Sequence, residues 1–148
     1  MANRQLFLKA SATSHYVGRI VDAQLEPIGV PGFLVALLTH VRDHAPVSPS
    51  TVSLASGVPA TTLRDNIQRL VDRKLVRRVP NPADGRSYLL ALTRRGEAVT
   101  RAADPALLTA YLELERRLPR PLGDYELMLD ELNEAMQGVL GDADTTDT

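Results

Sequence analysis

The chain has 148 residues, of which 44% are hydrophobic and 24% charged, which suits a domain with a real core and argues against disorder. It contains no cysteine, which excludes disulfides, thiolate metal sites and cysteine redox chemistry and fits a reducing compartment. The net charge of −1 conceals an asymmetry: residues 48–101 carry ten basic and four acidic residues, or +6, while the remainder carries seven and fourteen, or −7. A basic middle between acidic ends points to an anion that meets only the middle. With four Tyr, two Phe and no Trp, the core must be mostly Leu, Val and Ala, a composition that favours helices.

In chain order, the start MANRQLFLKASATSHYV has neither an uninterrupted apolar targeting core nor a bilayer-length run, so a soluble cytoplasmic protein with no membrane partner is expected. Residues 4–25 predict a helix with Leu6, Ala10, Val17, Ile20, Val21 and Leu25 at three- and four-residue spacings, ended by Pro27 and Gly29. Pro31-Gly32 opens a second helix to about Ala45, with Phe33, Leu34, Leu37, Leu38 and Val41 inward. Ser48-Pro49 supplies an N-cap hydroxyl and a first-turn proline for a short helix that carries Val52 and Ala55 and stops at Gly57. Pro59 then starts a helix with Leu63, Ile67, Leu70 and Val71 on one face. Two short helices about a tight glycine turn, the second the more basic, form a helix-turn-helix pattern.

The next residues turn that pattern into a winged helix. Leu75, Val76 and Val79 predict a short strand, Pro80-Asn81-Pro82-Ala83-Asp84-Gly85 is dense turn chemistry, and Ser87 to Leu92 alternate with Tyr88, Leu90 and Leu92 toward the core. Thr93 can cap a helix running to Leu118 with a kink or break near Asp104-Pro105. A last helix is predicted from about Asp124 to Leu140, with Tyr125, Leu129, Leu132, Met136 and Val139 in a seam. Residues 141–148, GDADTTDT, are expected to be a disordered acidic tail.

DRKLVRRVPNPADGRSYLLALTRRGEA resembles the winged-helix signature of the MarR family of bacterial transcription regulators, through Leu75-Val76, Asp84-Gly85-Arg86 and Leu92-Thr93-Arg94-Arg95-Gly96. The order of elements is similar as well, over about residues 4–140. The resemblance implies a mainly α fold with a small β-hairpin wing (α+β). A winged helix-turn-helix domain would span 31–99, and helices at 1–30 and 100–140 would form a dimerisation region. It further implies a homodimeric DNA-binding regulator, expected to be a repressor of nearby genes, on a pseudo-palindromic double-stranded operator. A small-molecule effector is a further expected partner. Three positions depart from the family pattern. The family often has Ala where Ser53 stands and Gly where Lys74 stands. A hydroxyl followed by Arg is common where this chain has Arg64-Asp65, so no preferred operator carries over.

Off the apolar face of the recognition helix lie Ala60, Thr61, Thr62, Arg64, Asp65, Asn66, Gln68 and Arg69. Arg can make paired bonds to guanine in the major groove and Asn or Gln to adenine. Thr61 and Thr62 suit phosphate or thymine-methyl contacts. The bland alternative is a solvated face holding an Arg69–Asp65 pair. Arg86, beside Gly85 with Asp84 placed to orient its guanidinium, can enter a narrow A·T-rich minor groove; the alternative is an exposed Arg paired only with Asp84. Arg73, Lys74, Arg77 and Arg78 read as neutralisers of backbone phosphates. His15, Tyr16, Arg19 and His40 are candidates to line an effector pocket. His40 and His44 are four apart, but no Cys or third ligand joins them, so no metal is expected. No phosphate-cradling glycine loop, placed nucleophile or clustered metal ligands appear, so neither an enzyme nor a cofactor is expected. A winged-helix protein-interaction module without DNA binding remains the other reading.

Overall fold

The computed structural model describes residues 5–145. The described residues form α1 (Gln5–Leu25), a 3-10 turn (Glu26–Ile28), α2 (Gly32–His44), α3 (Pro49–Ser56), α4 (Ala60–Asp72), β1 (Val76–Pro80), β2 (Tyr88–Leu92), α5 (Arg94–Glu115) and α6 (Leu122–Thr145). Two compact units divide the chain, Met1–Ala110 and Tyr111–Thr148. The mainly helical composition with one antiparallel hairpin is the expected fold class.

The main core lies in the first unit. Leu34, Leu37, Leu38 and Val41 of α2 pack with Val52 of α3, Leu63, Ile67 and Leu70 of α4, and Leu75, Val76, Leu90 and Leu92 of the hairpin. A second cluster joins Leu25 of α1, Val35 of α2 and Ala103 of α5. One inward assignment on this side changes, and one buried residue was not foreseen. Phe33 is exposed and Val35 is fully buried, because α2 is covered on two faces rather than one: the stripe from Leu34 meets the main core, and Val35 meets α1 and α5. In α3 Val52 is buried and Ala55 is exposed.

The hairpin register pairs Val76 with Leu92, Arg78 with Leu90 and Pro80 with Tyr88. Val47 adds a bridge that the sequence did not suggest. Its N–H donates to the Leu90 carbonyl at 3.1 Å and its carbonyl accepts from Leu90 at 2.8 Å, which ties the segment before α3 to the outer side of β2.

The start of α2 is capped across the fold. Asp22 of α1 accepts from the Gly32 N–H at 2.8 Å, and a Cβ at Gly32 would lie 2.6 Å from the Val21 side chain. α5 runs through Pro105 without a break and ends at Glu115, three residues before the expected Leu118. A proline inside a helix costs one backbone hydrogen bond, and here the helix carries it. α6 continues to Thr145. Residues 141–145 of the expected disordered tail are therefore helical, as extending a formed helix is far easier than nucleating one; residues 146–148 lie outside the described residues. Among the described residues no single helix is long and apolar enough to cross a membrane.

Candidate nucleic-acid interface

The helix-turn-helix is held by short polar contacts at its ends. Ser48 Oγ accepts from the Thr51 N–H at 3.1 Å, which caps α3. Gly57 takes φ 66°, a left-handed value suited to glycine, and closes α3. The half-buried Ser53 hydroxyl donates to the Val58 carbonyl at 2.6 Å. Ser53 thus braces the turn.

The second helix, α4, follows Pro59 and has no side-chain cap. Its first-turn N–H groups stand beside the exposed Thr61 and Thr62, an arrangement that can receive an anion. Arg64, Asp65, Gln68 and Arg69 are exposed. Asn66 is not: it is 8% exposed, and its Nδ2 donates to the Thr62 carbonyl at 3.1 Å. It stands three residues after Leu63 and one before Ile67, within the apolar stripe, so its expected place on the solvent face is corrected. The spacing itself held that signal. The Arg69–Asp65 pair is also missing from the ion pairs among the described residues; Asp72 instead accepts from Gln68 Nε2 at 2.7 Å.

The wing tip is a hydrogen-bonded double turn. Asn81 Oδ1 accepts from the Ala83 N–H at 3.0 Å, and Asn81 Nδ2 reaches the Ser87 hydroxyl at 2.9 Å. Asp84 Oδ1 accepts from the Arg86 backbone N–H at 3.0 Å. Asp84 therefore shapes the tip through the backbone, and no ion pair joins it to the Arg86 guanidinium among the described residues. Arg86 projects from this framed tip, exposed.

At the foot of the wing, Lys74 takes φ 58°, the left-handed region. Thr93 links the foot to α5. Its hydroxyl donates to the Lys74 carbonyl at 2.6 Å and accepts from the Gly96 N–H at 3.1 Å. A Cβ on Gly96 would lie 2.1 Å from the Leu75 carbonyl oxygen. The Leu92-Thr93-x-x-Gly96 motif is thus the joint between wing and helix.

The basic residues next to the wing divide into different settings. Arg77 is exposed. Arg73 Nη1 donates to the Gly29 carbonyl at 3.3 Å, so it is partly occupied within the fold. Arg78 Nη2 donates to Gln68 Oε1 at 2.9 Å and its guanidinium lies 5.0 Å over the Tyr88 ring.

The four candidate effector residues do not come together. Tyr16 and Arg19 line a surface groove of about 520 Å³ with Ile20, Ala23 and Gln24; His15 is exposed, and His40 stands on α2 outside the groove lining. Sequence spacing did not suggest another groove, of about 500 Å³, which Ser53, Leu54, Arg64, Ile67 and Tyr88 help to line. His40 stacks on His44 with ring centroids 4.3 Å apart, and its buried Nε2 has no hydrogen-bond partner among the described residues. Burial, then the neighbouring His44, lowers the His40 pKa below 6.5, with Asp43 opposing.

Residues 35–87 match the model of the MarR family. Over 68 residues the chain is 37% identical to the HTH-type transcriptional repressor NicR of Pseudomonas putida, covering 46% of this chain and 43% of that protein. Over 81 residues it is 30% identical to the multiple antibiotic resistance protein MarR of Escherichia coli, covering 55% and 56%. Residues 35–87 are thus similar to the MarR family. The alignments span about half the length of these curated relatives. The likeness of fold extends over most of the chain. A mutant of Escherichia coli MarR complexed with operator DNA superposes with a TM-score of 0.77 at 23% identity, over 87% of this chain and 94% of that one. The MosR regulator of Mycobacterium tuberculosis in complex with DNA gives 0.78 at 21% identity, over 89% and 96%.

Proposed function

We propose that this chain is a MarR family regulator: a sequence-specific double-stranded-DNA-binding transcription regulator that acts as a homodimer and represses nearby genes. One observation carries the reading: the exposed polar face of α4, strand β1 and the framed wing tip present Arg64, Arg69, Arg77 and Arg86, none of which pairs with an acid among the described residues. In a protein-interaction module these cations would have no need to stay clear of Asp65, Asp72 and Asp84. Thr61, Thr62, Arg64 and Arg69 would meet the major groove, Arg77 and Arg73 phosphates, and Arg86 the minor groove. The named DNA complexes of the structural neighbours support the same reading.

The dimer is supported by apolar side chains left open on α1, among them Phe7 at 74% and Leu8 at 72% exposure, and on α6, where Leu127 is 60% and Val139 71% exposed. A single protomer seldom leaves so many large apolar groups to water without a partner for them. An effector that relieves DNA binding belongs to the same proposal, with the Tyr16–Arg19 groove as its candidate site. Footprinting on the DNA upstream of the protein's own gene tests the function. Two protected half-sites with centres about 34–36 Å apart, or a multiple of that, are expected. Absence of protection at low salt would favour the interaction module.

A further inference from the structure

We propose that Gln68 and Arg78 form a strut that sets the angle of the wing against the recognition helix, making Arg78 a positioning residue for Arg86 rather than a phosphate neutraliser. The proposal rests on the DNA-binding reading above. In the sequence, Arg77 and Arg78 are neighbours of equal charge. In β1 they fall on opposite faces, since successive strand side chains alternate. Arg78 shares the face of the buried Val76, two residues away, and that face looks toward α4.

The chain of contacts is continuous. Asp72 Oδ1 accepts from Gln68 Nε2 at 2.7 Å, Gln68 Oε1 accepts from Arg78 Nη2 at 2.9 Å, and the Arg78 guanidinium sits 5.0 Å over the ring of Tyr88. A carboxylate only accepts and a guanidinium only donates, so the amide between them has one orientation that satisfies both. Its direction is fixed by its neighbours. Tyr88 is the first residue of β2, two residues after Arg86. The strut therefore runs from the last turn of α4 to the strand that leaves the wing tip. It acts on the spacing between the helix's base-reading face and Arg86, which is the quantity a two-groove reader must hold constant. Arg77 has no hydrogen bond or ion pair of this kind among the described residues and keeps the phosphate role.

Salt titrations of operator binding separate the two roles. Each phosphate neutralised contributes about 0.9 to the slope of log K against log salt. Arg77→Ala, which removes one such contact per protomer and two per dimer, should lower the slope magnitude by about 1.8. Arg78→Ala and Gln68→Ala should each weaken binding roughly tenfold while leaving the slope unchanged, and the double variant should be no worse than either single one. Arg78→Lys should fail to restore affinity, because an ammonium keeps the charge but cannot reproduce the planar contact with both Gln68 and Tyr88. A slope loss of about 1.8 in Arg78→Ala that Arg78→Lys restores, or a silent Gln68→Ala, would overturn the strut and leave DNA binding standing. A parent protein that shows no salt-dependent binding would remove both.

Discussion

Lys74 and Arg86 show how much a single residue's backbone setting decides. Lys74 holds φ 58° directly before the wing, in a region that costs a residue with a Cβ roughly 1–2 kcal/mol. Glycine removes that cost but loses about 0.5–1 kcal/mol through its freer unfolded chain. Lys74→Gly should therefore stabilise the protein by about 0.5–1 kcal/mol and raise the thermal midpoint by about 1–4 °C, measured by scanning calorimetry. A lowered midpoint would contradict the conformational argument. Arg86 has its position set by Asp84 through the backbone N–H, so the guanidinium is left to a ligand. Arg86→Ala should weaken DNA binding, most on A·T-rich flanks, as read by competition between flanking sequences. Equal affinity of variant and parent would sink the minor-groove role.

Among the elements, the joint between wing and α5 is the most exacting. Gly96 approaches the Leu75 carbonyl so closely that a methyl group has no room, and the obstacle is backbone that cannot swing aside. Gly96→Ala should destabilise by ~3 kcal/mol and lower the melting midpoint by about 6–12 °C. A midpoint within 2 °C of the parent's would refute this tight approach. The helices, the hairpin and the cap at Ser48 were legible in the sequence because each depends on local spacing or on one residue's own chemistry. Gly96 was legible as part of a motif, but its reason needed the fold. Three features were hidden for a common physical cause: they depend on what covers an element from outside. Val35 is buried by a second cluster, Val47 finds a strand distant in sequence, and Arg78 is separated from Arg77 by what faces each side of β1. Asn66 differs, since its place in the apolar stripe was readable and its polarity masked it.

At the scale of the whole molecule, charge and apolar surface divide the labour. The basic segment 48–101 forms the helix-turn-helix, the wing and the beginning of α5, whereas the acidic remainder carries the open apolar side chains of α1 and α6. This separation suits a protein that meets DNA with one part and its own copy with another. Light scattering at micromolar concentration should give twice the 16.2 kDa chain mass; the monomer mass would contradict the dimer.

The central claim, that the free cations of α4 and the wing serve to bind DNA, is tested most directly by the salt dependence of binding to the chain's own upstream DNA. A plot of log affinity against log salt should be linear with a negative slope of about 4–7, as expected for a dimer that neutralises roughly four to eight phosphates. A flat plot, or no binding at low salt, would contradict it.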